Sequence, residues 1–172
     1  MASELLREKR ILAVDDESDV LDILDEELQY HGVMLDRASS YEEALQRMSS
    51  LTYDLVILDI MGVRGFELLE FAVAKKLPVV MLTAHALSPQ SLKKSIELGA
   101  RAYLPKDQLG RCVQFLEDVL SLNHQSAWKS VLKRLRKPFN KRFGSDWRKS
   151  ESEFWEKFEN DSEIKESTII DA

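Results

Sequence analysis

A group of carboxylates, one threonine and one lysine are the side chains of this sequence able to do chemistry together. Asp15, Asp16 and Glu17 follow one apolar run, Asp59 follows a second, Thr83 a third and Lys106 a fourth. Carboxylates gathered at one place repel one another unless a cation sits among them, and an all-oxygen donor set favours a hard divalent ion such as Mg2+. Mg2+ keeps several waters and takes only one or two carboxylates, so phosphoryl oxygens are its natural further ligands. Lys106 would add positive charge and Thr83 a hydrogen bond to the same phosphoryl group. A carboxylate beside such an ion can attack phosphorus and form an acyl phosphate, which makes Asp59 the candidate nucleophile. Taken singly, each group reads as a solvated strand end or a surface lysine. Their convergence at one edge is what points to a site.

That convergence needs a particular scaffold. Residues 10–14, 54–58 and 78–82 are short apolar runs without alternation, which predict buried strands, with weaker strands over 33–37 and 102–104. Between them lie helical patterns: 18–30 with Val20, Leu21, Leu24 and Leu28 on one face, 40–48, 66–74, and 88–99. Ser40 and Glu43 form a capping box, Ser88 and Pro89 an N-cap with its first helical residue, and Gly32 a C-terminal stop. Asp107 is expected to cap a last helix carrying Leu109, Val113, Leu116, Val119 and Leu120. Five strand and helix pairs in strict alternation imply a doubly wound α/β fold: a five-stranded parallel sheet covered on both faces, with right-handed crossovers. Ligands of such sheets sit beyond the carboxyl ends of the strands, beside the switch in winding direction.

Composition sets outer bounds. The 172 residues are 44% hydrophobic with six Gly and four Pro, which is globular rather than low-complexity. One cysteine, Cys112, forms no intrachain disulfide and falls in an apolar helical pattern, where it reads as a small core residue. The first residues carry no apolar secretion segment and no run reaches the 18 or so residues of a membrane span, so a cytoplasmic location is expected. The net charge of −6 is unevenly spread. Residues 1–122 carry 13 basic and 21 acidic side chains; residues 129–149 carry nine basic ones against Asp146 alone, and residues 150–172 two basic against eight acidic.

The quartet Val14-Asp15-Asp16-Glu17, Leu58-Asp59-Ile60-Met61, Leu82-Thr83-Ala84 and Tyr103-Leu104-Pro105-Lys106 resembles the receiver domain of two-component response regulators. The resemblance covers about residues 8–122 and implies the flavodoxin-like strand order 2-1-3-4-5. It also implies that Asp59 accepts a phosphoryl group from a sensor histidine kinase or a histidine phosphotransfer protein. Asp16 would bind Mg2+ directly, Asp15 mainly through water, and Asp59 and the backbone carbonyl of Met61 would complete the ligand set. Lys106 would pair with the phosphoryl group, Thr83 would turn toward it, and Tyr103 matches the aromatic that swings inward on activation. Ala84 is small enough to admit a phosphodonor. Met61 and His85 occupy the positions that tune phosphate lifetime, and Met61, unable to orient water, implies slow hydrolysis. Two departures stand out. The loop after Asp59 is about two residues short, and Asp107 rather than Pro follows Lys106, so the turn there is expected to differ from the family's.

Residues 123–172 match no DNA-binding module, and DNA binding is not expected of them. Trp128, Val131, Leu132 and Leu135 predict an amphipathic helix over 126–137 that Pro138 ends. A second helix is expected from Asp146, bearing Trp147, Phe154, Trp155 and Phe158. All three Trp lie in this extension, a density that favours docking over disorder. Whether it docks on its own receiver, across a homodimer or on an unknown partner stays open. So does contact of its basic block with nucleic acid or an anionic membrane. The function expected is a phosphoacceptor signalling protein whose only catalysis is its own phosphorylation and dephosphorylation. The rivals are a vestigial receiver that binds through its tail and a small-substrate phosphatase, for which the sequence has no room for a cap.

Overall fold

The computed structural model describes residues 2–84, 87–122 and 124–160. Five parallel strands form one sheet in the order β2-β1-β3-β4-β5: β1 (Arg10–Val14), β2 (Met34–Ala38), β3 (Leu55–Asp59), β4 (Val79–Thr83) and β5 (Ala102–Pro105). The crossovers are α1 (Ser18–Gln29), α2 (Tyr41–Ser50), α3 (Gly65–Ala74) and α4 (Pro89–Glu97), and α5 (Cys112–Ser121) follows β5. Every residue of β3 and β4 is buried, as expected of strands covered on both faces, whereas edge strand β2 is half exposed. Helix α1 packs against α5, and α2 against α3.

Local signals operate as their chemistry predicts. The Ser40 hydroxyl accepts from the Glu43 N–H at 3.2 Å, while the Glu43 carboxylate reaches back to the N–H of Ser39 at 2.7 Å. The Ser88 hydroxyl accepts from the Ser91 N–H at 3.0 Å, with Pro89 as the first residue of α4. Cys112 is buried, and burial pushes its thiol up to about 12, so it is an inert core residue. Among the described residues no helix is long and apolar enough to cross a membrane.

Three expectations need correction. Asp107 does not cap α5: the chain leaves β5 through a 3-10 turn (Lys106–Arg111) that seats Leu109 in the core, and Arg111 precedes α5. Pro138 does not end a helix, because α6 (His124–Phe143) runs through it. A proline inside a helix costs about 3 kcal/mol. Leu135 and Phe139 on either side are fully buried, and each such burial returns about 1.5–3 kcal/mol, so packing wins. Finally, Trp147 lies in the turn after Gly144 rather than on the second helix; α7 (Ser152–Asn160) begins later and carries Phe154, Trp155 and Phe158. The acidic residues 161–172 lie outside the described residues.

The extension packs on the α/β domain of its own chain. Leu122 is extended (φ −103°, ψ 155°), so α5 stops and α6 turns back to contact both β5 and α5, covering an edge of the sheet that would otherwise be open. Trp128 is fully buried and its indole N–H donates to the Ala100 carbonyl at 2.8 Å. Val131, Leu135 and Phe139 follow on the same face, each fully buried. Arg134 pairs with Asp118 of α5 at 3.2 Å, and Lys93 of α4 pairs with Glu151 at 2.9 Å. Such partly exposed pairs contribute about 0–1 kcal/mol each, so the buried aromatics carry the docking. Replacing Trp128 with Ala should therefore cost about 3–5 kcal/mol in urea unfolding. A loss below about 1 kcal/mol would show that α6 is not part of the core.

Candidate functional site

Strand register delivers the chemical groups to one edge. Val14 of β1 lies opposite Leu58 of β3, Asp59 opposite Leu82 of β4, and Thr83 opposite Pro105 of β5. Asp15, Asp59, Thr83 and Lys106 therefore each fill the last strand position or the one just past it. Strands β1 and β3 are neighbours at the point where the winding direction reverses, the place where doubly wound sheets bind ligands.

The Lys106 ammonium stands at the centre. Its Nζ is 2.9 Å from Asp15 Oδ2, 2.7 Å from Glu17 Oε1 and 3.4 Å from Asp59 Oδ1. The lysine side chain is 9% exposed, that of Asp15 0% and that of Asp59 5%. Asp15 Oδ1 accepts from the Glu17 N–H at 2.9 Å, whereas its Oδ2 faces the ammonium outside hydrogen-bonding geometry. Burial and then the charge of Asp15 push the Asp59 carboxyl up to about 7, against the pull of Lys106. Burial likewise raises Asp15. Burial would depress Lys106, but its pairing with Glu17, Asp15 and Asp59 outweighs this and holds it above its ordinary range.

One ammonium does not balance this site. Oxygens of Asp15, Asp16 and Glu17 come within 4.8 Å of one another, and with Asp59 they are four carboxylates against Lys106 alone. A hard divalent cation bound by oxygen fits that surplus and the buried Asp15 Oδ2, which lacks a hydrogen-bond donor. The short loop after Asp59 makes the approach close. Gly62 has φ +86°, and a Cβ there would stand 2.5 Å from a carboxylate oxygen of Asp16; one at Gly65 would stand 2.1 Å from the Asp59 carbonyl oxygen. Arg64 takes a left-handed conformation (φ 55°), stacks over Tyr41 and pairs with Glu67. Two glycines and one left-handed arginine thus close the loop.

The remaining predicted residues surround this centre. Thr83 is 1% exposed, and its hydroxyl has no hydrogen-bond partner. Met61 is 53% exposed at the rim, Ala84 is half-buried, and His85 lies outside the described residues. Tyr103 is fully buried: its hydroxyl is 2.6 Å from Ser91 Oγ, and its ring meets Phe139 of α6 edge-on at 6.1 Å. The sequence places Glu17 among the converging acids but not against Lys106, where it makes the shortest of the three contacts, and it marks no role for Ser91. Ser91 stands three residues after a cap whose meaning was exhausted by the start of α4. Nothing in the sequence pairs it with Tyr103.

The chain matches the family model described as the response regulator receiver domain over residues 11–116. It belongs to that family. Two-component response regulator ARR12 of Arabidopsis thaliana is 40% identical over 103 residues, 56% of this chain and 17% of that protein. The alkaline phosphatase synthesis regulator PhoP of Bacillus subtilis is 36% identical over 104 residues, 57% of this chain and 42% of its own. The chain thus spans less than half the length of these curated relatives. The TrrA response regulator of Thermotoga maritima, solved in complex with Mg2+ and BeF, shares 39% identity and a TM-score of 0.53 over 63% of this chain and 98% of its own. A putative response regulator from Chloroflexus aurantiacus, 30% identical, gives a TM-score of 0.61 over 67% of this chain and 100% of its own. The five-stranded fold with order 2-1-3-4-5 is the receiver fold, and receivers of this family are signalling modules of two-component systems.

The raised Asp59 carboxyl has a measurable consequence. A group held above its ordinary value of 3.8 favours folding below that pH, and the benefit is lost as pH rises through about 7. In EDTA, Asp59→Asn should match the wild type near pH 4 and exceed it by about 4 kcal/mol near pH 8 in urea unfolding. Equal stabilities at pH 8 would show that Asp59 carries no burial penalty.

Proposed function

We propose that the chain accepts a phosphoryl group on Asp59 from the phosphohistidine of a sensor histidine kinase or a histidine phosphotransfer protein. In this reading residues 8–122 carry the reaction and residues 123–172 answer to it. The observation that carries the proposal is the Lys106 ammonium between the buried carboxylates of Asp15 and Asp59, at the same edge as the unpartnered hydroxyl of Thr83.

Asp15, Asp16, Asp59 and the Met61 carbonyl would hold Mg2+, which when bound neutralises charge on the phosphoryl oxygens. An Asp59 oxygen forms the new bond to phosphorus as the P–N bond to the donor imidazole breaks, and that nitrogen keeps the electron pair. The carboxylate must be ionised to attack; its elevation to about 7 leaves part of it protonated near neutral pH, and positive charge gathering around it would raise the ionised share. Lys106 is already in place for this and would exchange carboxylate contacts for a phosphoryl oxygen. Thr83 would donate its unused hydroxyl to another.

A route from Asp59 to the extension is supported by contacts. Thr83 ends β4, and Tyr103 lies on the adjacent β5, hydrogen-bonded to α4 through Ser91 and edge-on to Phe139 of α6. Movement of Thr83 toward a phosphoryl group would open space beside Tyr103 and alter its contact with α6. Trp128, Phe139, Trp147, Trp155 and Phe158 are already buried in the core and Phe143 and Phe154 partly so, so the output would be a change in α6 and α7 rather than exposure of a preformed aromatic surface.

Two outcomes follow. Mg2+ with beryllium fluoride should change the tryptophan emission of the wild type and leave Asp59→Ala unchanged; an identical response in both would break the link between Asp59 and the extension. Phosphorylated wild type should outlast phosphorylated Met61→Asn, since Met61 offers no hydrogen bond to an attacking water, and equal decay rates would remove Met61 from control of lifetime.

A further inference from the structure

The extension builds a second site of opposite charge. Helix α6 contains seven basic residues and no acidic one. Together with the 3-10 turn after β5 it walls a groove of about 880 Å3, within the range of small-molecule sites. Arg111, Lys133, Arg136, Lys137, Lys141 and Arg142 line it, and Asp107 is the acid among the lining residues. These six cations are exposed, and none makes an ion pair among the described residues. Arg134, also at the groove, differs, being taken up by Asp118 and Gln114. Six like charges kept together without an ion-pair partner among the described residues repel one another within a screening length of about 8–10 Å. A multivalent anion is the ligand that relieves this.

We propose that the groove binds a compact polyphosphate, a chain of condensed phosphates either free or carried by a nucleotide. Three observations select this ligand over larger polyanions. The apolar face of α6 is turned inward, with Trp128, Val131, Leu135 and Phe139 fully buried, so the helix has no apolar face to lay in a membrane. Phe139 and Trp147 are buried too, and Phe143, partly buried, lies beneath the Arg142 guanidinium, so the basic face offers bases no open stacking platform. The rest of the molecule is acidic, with 13 basic against 21 acidic residues over 1–122. An extended nucleic acid would run onto that surface, whereas a compact ligand meets only the groove. Arg111, Arg136 and Arg142 can each grip two phosphate oxygens, and the lysines supply point charge.

Binding here needs no phosphoryl group on Asp59, and the test omits that chemistry. Inorganic tripolyphosphate and ATP are titrated into the full chain by calorimetry in EDTA, which withholds Mg2+. Saturable binding at one site per chain is expected, far tighter than that of orthophosphate. The Lys133→Ala/Lys137→Ala variant should bind about tenfold more weakly. Lys76→Ala/Lys157→Ala removes the same charge elsewhere and should change affinity less than about twofold. Arg142→Ala, a single change at the groove, should also weaken binding, and far-ultraviolet dichroism confirms that each variant is folded. Equal affinities for tripolyphosphate and ATP assign recognition to the phosphate chain alone, and tighter ATP adds a contact to the nucleoside; both support the site. Absence of saturable binding, equal losses in the groove and control variants, or tighter binding of a short DNA duplex at the same salt would overturn it.

Discussion

Carboxylates from β1 and β3 must share one ammonium from β5, and most of the receiver's architecture follows from that constraint. A charge buried without a partner costs several kcal/mol. Asp15 and Asp59 are both enclosed, so the strand ends bearing them and the turn bearing Lys106 have to meet within about 3 Å. The parallel register supplies this meeting, because Val14, Leu58, Leu82 and Pro105 fall into nearly level rows. The balance is left incomplete on the acidic side. That deficit gives a divalent cation and a phosphoryl group, which bring positive charge and acceptor oxygens, somewhere to act.

The extension belongs to the same structure rather than to a separate appendage. It covers the β5 edge, ties α4 to α5 through Glu151 and Asp118, and rests Phe139 on the ring of Tyr103. Any change at Thr83 is thus two contacts from α6. Charge segregation gives the molecule two faces: a carboxylate pocket at the strand ends, and a cationic groove along α6 that begins in the turn immediately after Lys106. Lys106 opens the 3-10 turn to which Arg111 belongs, so the two faces are joined by six residues of backbone.

The receiver was legible because its signals are local and repeated. Non-alternating apolar runs too short for a helix read as doubly covered strands, and chemistry at each run's end marks the edge to inspect. The extension was harder to read, since tertiary packing overrides local rules there. Pro138 is a helix breaker by its own geometry, yet Leu135 and Phe139 bury enough surface to carry α6 through it. Trp147 was assigned to a helix by hydrophobic spacing, but its indole N–H is held by Asn140 from a turn. Asp107 looked like a cap because it precedes a helical pattern; the turn that seats Leu109 displaced it. Within the site, the pairing of Glu17 with Lys106, 89 residues away in sequence, and that of Ser91 with Tyr103, 12 residues away, are tertiary contacts that no local pattern marks.

The central claim is that Lys106 and a divalent cation make buried Asp59 a phosphoryl acceptor. Mass spectrometry of the intact protein after treatment with acetyl phosphate and Mg2+ tests it most directly. The account predicts one phosphoryl adduct, mapped to Asp59, that disappears when Mg2+ is chelated and is strongly reduced in Lys106→Ala. An unmodified Asp59, or an adduct indifferent to both Mg2+ and Lys106, would contradict it.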